Sequence, residues 1–187
     1  MTARRGETLR ERRWPARTRT IGVAVAIPAP WARELQRCRE SFGDPLAGGI
    51  PTHVTLLPPT AIEERALPAV QDHLRKIADD EQGFTMRLFG TASFRPTSPV
   101  VFVQLREGVE ECTRIEEKVR SGPLHRPIDF GYHPHVTIAH DLPPVVLDEA
   151  QRALADYDVS FEVDGFSLYE HLEGVWRPVR FFSFPPG

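Results

Sequence analysis

The sequence has few cysteines, no long apolar run and no excess of basic charge, and each absence excludes a class of protein. Only Cys38 and Cys112 occur among the 187 residues, which excludes a disulfide framework and a repeated Cys-x-x-Cys metal site. No stretch approaches the ~18 apolar residues of a membrane-spanning helix. The net charge of −3 argues against a protein that binds long nucleic acid through a broad basic surface. We therefore expect a cytoplasmic protein that makes no membrane contact and acts on a small or terminal substrate.

The N-terminal segment differs in composition from the remainder of the chain. Residues 1–20 contain seven arginines and few apolar side chains, which is typical of a flexible, solvated arm. We therefore assign residues 1–19 to a basic arm. The remaining residues, 20–187, are numerous enough to bury the core of one domain without disulfide bonds.

The order of predicted secondary-structure elements occurs twice along the chain. Each copy consists of a strand, a helix, a strand containing His-Val-Thr, a helix and a strand. The strands are predicted from β-branched apolar runs, the helices from helical periodicity, and the boundaries from Pro or Gly. In the first copy the predicted elements are 20–28, 30–42, 52–58, 61–80 (a helix starting afresh near Pro68) and 83–94. In the second they are 100–105, 108–122, 133–140, 145–157 and 159–170, and a last strand, 174–184, has no counterpart.

This internal repeat predicts an α+β fold with two lobes. Lobes of about residues 20–95 and 96–184 would be related by a pseudo-twofold axis, with antiparallel sheets around a central cleft and helices on the outside. Equivalent strands of the two lobes would then face each other across the cleft. Each lobe would supply one wall of a single site.

The tripeptide His-Val-Thr marks the equivalent strand of each repeat, in "PTHVTLLPPT" and in "GYHPHVTIAHDL". Residues i and i+2 of a strand point to the same face, so His53 and Thr55 share one face while the valine between them points into a core. His135 and Thr137 repeat this pattern in the second copy. The sequence therefore predicts two imidazoles and two hydroxyls converging on one cleft.

Such a group of side chains suits displacement at phosphorus. The ordinary pKa of histidine, near ~6.5, lets one ring act as general base while the other acts as general acid near neutral pH. Threonine hydroxyls can hold the non-bridging oxygens of a phosphate without adding charge. This chemistry requires neither a metal nor a cofactor. Which histidine is the base stays open, because the repeat leaves the two nearly equivalent.

The stretches "HVTLLPP" and "HPHVTIAHDL" resemble the two-histidine phosphoesterase superfamily, which includes bacterial 2′,5′ RNA ligase-like proteins and cyclic nucleotide phosphodiesterases. The resemblance extends over residues ~20–184. It implies that His53 and His135 are the catalytic pair and that Thr55 and Thr137 bind the phosphate. The implied activity is hydrolysis of 2′,3′-cyclic phosphates or 2′,5′-phosphodiester links of RNA or nucleotides, with the reverse ligation left open.

Three further residues are candidates for substrate contact. Tyr132 and Phe94 could stack on a nucleobase. His140 stands where several RNA-acting relatives carry Arg or Lys, but it is an odd number of residues from His135, so a regular strand would turn it to the opposite face unless a bulge intervenes. The aromatic residues of the last strand are assigned mainly to the core: Trp176, Phe181, Phe182 and Phe184.

Two alternatives use the same residues. His133 and His135 could begin a metal site, with a third ligand from His53, Asp129 or Asp141, although the paired threonines would have no role in it. The cleft could also belong to a non-catalytic module that binds a nucleotide or an RNA end. We favour an enzyme with no metal and no cofactor, acting as a monomer on a nucleotide or RNA end that carries a cyclic or 2′,5′-linked phosphate.

Overall fold

Eight strands and four α-helices make up the regular structure of the part described by the computed structural model, residues 17–127 and 130–186. The strands are β1 (Thr18–Ala26), β2 (His53–Glu63), β3 (Phe84–Ser93), β4 (Val100–Glu107), β5 (His135–His140), β6 (Asp158–Val163), β7 (Gly165–Leu172) and β8 (Val175–Ser183). The helices are α1 (Trp31–Ser41), α2 (Leu67–Asp79), α3 (Val109–Val119) and α4 (Pro144–Ala153). Two short 3₁₀ turns, Glu64–Ala66 and Gly122–Leu124, complete the described elements.

The strands form an antiparallel sheet in the order β6-β3-β4-β5-β2-β1-β7-β8. The two central strands carry the His-Val-Thr motifs, and in the described residues their pairing consists of Val54 opposite Val136. The sheet therefore consists of two four-stranded halves that meet at the middle residue of each motif. The predicted α+β fold with antiparallel sheets is confirmed.

The two sheet halves do not follow the two sequence repeats. Strand β3 pairs with β4 and β6, whereas β7 pairs with β1 and β8. The prediction of one strand over 159–170 is wrong, because the chain passes at Asp164 from one half of the sheet to the other. Gly165 is required at this crossing, since a Cβ there would lie 2.3 Å from the Phe182 carbonyl oxygen.

The helices bury one apolar stripe each against the sheet. In α2 the buried residues are Val70, Leu74, Ile77 and Ala78, at the three- and four-residue spacing of one helix face. Burying such a side chain contributes roughly 1.5–3 kcal/mol, so the amphipathic pattern seen in the sequence fixes which face of the helix packs inward. Pro68 lies in the first turn of α2, as predicted.

Strand β1 begins at Thr18, two residues inside the segment assigned to the basic arm. The Arg19 guanidinium binds the carboxylates of Glu64 and Glu170. These ion pairs join β1 to the first 3₁₀ turn and to β7. Residues 1–16 of the predicted arm lie outside the described residues. Among the helices of the described chain, none has both the length and the apolar character needed to cross a membrane.

Candidate active site

The two motif strands, β2 and β5, contribute their polar side chains to one cavity of about 480 Å³. His53, Thr55, His135 and Thr137 all line it and are half-buried, while the valines between them are fully buried. This alternation follows from the two-residue period of a strand. Residues that are eighty-two positions apart in the sequence thus lie on the walls of one cleft.

Both imidazole rings are oriented by a main-chain carbonyl two residues earlier. Nδ1 of His53 lies 2.7 Å from the Pro51 oxygen, and Nδ1 of His135 lies 2.7 Å from the His133 oxygen. A carbonyl only accepts, so each Nδ1 carries a proton and donates it. In each neutral ring Nε2 is therefore the basic nitrogen, and in His53 it lies 3.1 Å from the Thr55 hydroxyl, which can donate to it.

Burial lowers the pKa of both histidines. For His53, burial is the largest cause; the hydrogen bond to the Pro51 carbonyl opposes it, and the charges of Arg39 and His135 lower the pKa further. For His135, burial again dominates, the His133 carbonyl opposes it, and the His133 charge adds to the lowering. Both rings therefore favour the neutral form in the free protein.

Phe94 lines the cavity and also supports His135. Its ring centroid lies 5.0 Å from that of His135 in an edge-to-face arrangement and 4.4 Å from that of the buried Phe102. Aromatic edge-to-face contacts of this kind restrict ring orientation. Phe94 is thus a wall of the cavity whose position depends on the core beneath it.

His140 lies on the cavity wall, because a bulge changes the parity of β5. Ala139 pairs with Val101 and Thr137 with Phe102, so Ile138 is the extra residue of the strand. Ile138 and Ala139 are both buried, and His140 then returns to the half-buried face that carries His135 and Thr137. The expectation for a regular strand, which places His140 on the opposite face, is wrong for this reason.

Tyr132 does not line the cavity. Its ring packs against the hydrophobic core, and its hydroxyl donates a 2.9 Å hydrogen bond to the main-chain carbonyl of Thr55. Burial raises the pKa of the phenol far above its ordinary value. The structure therefore gives Tyr132 a different place from the predicted stacking position: it ties the segment before β5 to strand β2, next to both motifs.

Arg39 is a cavity residue that sequence reasoning missed. Its guanidinium forms a buried ion pair with Asp44 at 2.9 Å and donates to the Ile50 carbonyl at 3.2 Å. These bonds fix the loop after α1, which supplies Leu46 and Ile50 to the cavity wall. Its spacing in the sequence could have indicated this place: Arg39 lies one helical turn after the fully buried Leu35, so both residues lie on the same face of α1.

Two residues of the last strand differ from their predicted place in the core. Trp176 is partly exposed and lines the cavity, and Phe181 is 54% exposed. Phe182 and Phe184 are buried, as predicted. The register of β8 against β7 shifts between Leu168 and Tyr169, and this irregularity explains why the aromatic alternation along the strand is imperfect.

The residues considered for a metal site are dispersed. Within the described chain, no three His, Cys, Asp or Glu side chains are grouped as metal ligands. The ring centroids of His133 and His135 are 6.1 Å apart, and both rings pack on Phe94. Asp141 lies near His140, with 3.4 Å between Oδ2 and Nε2, and Asp129 is outside the described residues.

Known structures share this fold. The E. coli protein LigT, solved in complex with 3′-AMP, superposes with a TM-score of 0.67 at 19% sequence identity, covering 91% of this chain and all of LigT. A Thermus thermophilus protein superposes with a TM-score of 0.64 at 25% identity, covering 88% of this chain and 97% of its own. The fold and the paired motifs together are those of the two-histidine phosphoesterase superfamily.

The family is established by sequence as well. The 2′-5′ RNA ligase superfamily model matches residues 27–175, and the chain belongs to this superfamily. A Geobacillus sp. (strain WCH70) protein, named for an inferred phosphoesterase activity, is 33% identical over 136 residues, 71% of this chain and 78% of its own length. A similarly named Halalkalibacterium halodurans protein is 31% identical over 165 residues, 87% and 95% of the two chains.

Proposed function

We propose that this protein is a metal-independent phosphodiesterase that hydrolyses 2′,3′-cyclic phosphates or 2′,5′-phosphodiester links of RNA or nucleotides. The observation that carries the proposal is the pair of imidazoles on one cavity, each with Nδ1 held by a carbonyl and each with a threonine on the same strand face. Superfamily membership and the names of the relatives support a phosphoesterase. LigT, which shares the fold, was solved with 3′-AMP, ATP and NADP+, which supports a nucleotide substrate.

The reaction uses one Nε2 as base and the other as acid. For a 2′,3′-cyclic phosphate, one imidazole accepts a proton from water as the water oxygen bonds to phosphorus. The protonated Nε2 of the other imidazole donates its proton to the ribose oxygen, whose bond to phosphorus breaks. The product is a phosphomonoester next to a free ribose hydroxyl. Ligation is the same displacement with the 5′-hydroxyl of a second RNA end in place of water: its oxygen bonds to phosphorus, its proton passes to the base, and the ribose oxygen leaves with the proton of the acid.

The two threonine hydroxyls of the motifs hold the phosphate between the two rings. We assign Thr55 and Thr137 to the non-bridging oxygens, because a hydroxyl donor stabilises the charge that develops there without altering the protonation of the imidazoles. His140, brought to the same wall by the bulge, is assigned to a substrate contact beside Thr137. Phe94 forms the adjacent wall.

The proposal predicts turnover of a small substrate panel in excess EDTA. The panel pairs 2′,3′-cyclic nucleotides with 2′,5′-linked dinucleotides, and 3′,5′-linked dinucleotides serve as the negative control. We expect hydrolysis of at least one of the first two classes at the same rate with and without EDTA, as followed by chromatography of the products. Activity abolished by EDTA and restored by a divalent cation would contradict it. Tight binding of panel members without turnover would favour a binding module instead.

The lowered pKa values predict a bell-shaped rate profile displaced toward acid. The acid loses its proton at high pH and the base gains one at low pH, so kcat/KM falls on both sides of its maximum. Burial lowers both pKa values in the free protein, so this maximum should lie below the ordinary histidine value of about 6.5. A bound phosphate anion favours the charged rings, so the kcat profile should lie at higher pH than the kcat/KM profile. A kcat/KM that climbs steadily to pH 9 would contradict paired histidine catalysis.

A further inference from the structure

The cavity has a second end whose chemistry differs from that of the motif strands. The residues there come from β1, the middle of β2, the loop after α1, β7 and β8, and most of their surface is carbon. They are Gly22, Leu46, Leu57, Tyr169 and Trp176. No step of the proposed hydrolysis uses them, although they share one cavity with the histidines.

Trp176 is held firmly at this end. Its main-chain N–H donates a 2.8 Å hydrogen bond to the Gly49 carbonyl, and its ring centroid lies 5.0 Å from that of His171. One edge of the ring also contacts strand β1, because a Cβ on Gly22 would lie 3.0 Å from Cζ3 and 3.4 Å from Cη2 of Trp176. A partly exposed indole fixed in this way is preorganised to receive a flat ligand.

The spacing along β1 relates this ring to the phosphate end. Ala24 is the partner of Thr55 in the β1–β2 ladder, and Gly22 is two residues away along β1, a distance of about 6.4–6.8 Å. Both residues line the cavity and neither fills it, since one has no side chain and the other a single methyl group. A phosphate at Thr55 would therefore leave room for a sugar over Ala24 and for a ring system beside Trp176.

We propose that this end of the cavity is a nucleobase site in which Trp176 stacks on the base of the nucleotide whose phosphate lies between His53 and His135. The inference rests on the proposed function for the position of the phosphate. Reading the identity of a base requires donors and acceptors placed against its edge. Among the described residues that line this end, only Tyr169, by its hydroxyl, and Trp176, by its indole N–H, have polar side-chain groups. The site therefore accepts all four bases and favours the larger purines, because stacking depends on ring area.

The test measures binding, so it does not depend on turnover. Isothermal titration calorimetry should show that the wild-type protein binds 3′-AMP with a lower Kd than inorganic phosphate. Replacing Trp176→Ala should weaken 3′-AMP binding about tenfold, because stacking on one base contributes on the order of 1.4 kcal/mol, and should leave phosphate binding unchanged. Trp176→Phe should restore most of the affinity. Phe181→Ala, an exposed aromatic on the same strand, is the matched control and should change neither affinity.

The outcomes separate this proposal from the hydrolase itself. Equal wild-type affinity for 3′-AMP and phosphate, or an unchanged 3′-AMP affinity in Trp176→Ala, would overturn the nucleobase site. Equal losses for both ligands would also overturn it, since they would show a damaged cavity. If the substrate panel is hydrolysed but the base contributes nothing, the proposed hydrolysis stands and the stacking site fails. If 3′-AMP binding depends on Trp176 while no panel member is hydrolysed, the stacking site stands and the hydrolase fails.

Discussion

Replacing either catalytic candidate, His53→Ala or His135→Ala, is expected to lower kcat/KM for the best panel substrate by roughly 10²–10⁴-fold. In the proposed reaction each imidazole transfers a proton in the same step. Loss of either ring would therefore leave one of the two bond changes at phosphorus without its proton transfer. The double variant should be scarcely slower than either single variant, because the two groups act as one unit. The measurement is steady-state kinetics, with thermal unfolding to show that each variant folds.

A matched control shows whether replacing a histidine outside the cavity also lowers the rate. His125 is exposed, follows the second 3₁₀ turn and does not line the cavity. His125→Ala should retain the wild-type rate. The catalytic assignment would be abandoned if a folded single variant at either motif kept more than about a tenth of wild-type kcat/KM, since general acid–base catalysis contributes at least about a hundredfold.

The second large effect concerns stability. Asp44→Ala is expected to lower the free energy of unfolding by about 3–5 kcal/mol, because it leaves the Arg39 guanidinium charged, buried and without its partner. The side chains of this pair are only 4% and 0% exposed, and Asp44 also accepts the Leu46 main-chain N–H at 2.9 Å. Denaturant unfolding measures the change directly. The double variant Arg39→Met with Asp44→Leu should recover much of the loss, because both charges are then gone.

An exposed pair of the same type provides the comparison. Arg87 donates two hydrogen bonds to Asp158, and both side chains are more than a third exposed. Asp158→Ala should therefore change the unfolding free energy far less than Asp44→Ala. Equal effects at the two sites would show that burial is not what makes the Arg39 pair important.

Local periodicity was sufficient to predict most of the elements and the faces of the motif strands. The two-residue alternation around His53 and His135 is a property of each strand alone, and the helices follow their own apolar spacing. The same reasoning could not foresee that residues 159–170 divide between the two halves of the sheet. That division depends on which strands β6 and β7 pair with, and strand partners are chosen by contacts distant in sequence.

Features of the cavity wall escaped prediction for a related reason. Trp176 and Phe181 look equally apolar in sequence, and only the shifted register of β8 and the glycine on β1 decide that the indole borders the cavity. His140 required the bulge at Ile138, which no residue type in "TIAHDL" specifies. A strand bulge is decided by the fit of the partner strand, so its position is a tertiary property.

The two sheet halves meet at Val54 and Val136, so main-chain geometry fixes the spacing of the proposed reaction centre. The interval between the motif strands is that of neighbouring strands in a sheet, about 4.8 Å, whichever side chains surround them. The walls around this centre come from separate pieces: the loop after α1, the β7–β8 hairpin and the end of β3. In the proposed reaction, a change in any one wall would alter which substrate group fits beside the phosphate and would leave the distance between the two imidazoles unchanged. The fold would thus allow substrate preference to vary while the catalytic geometry stays constant.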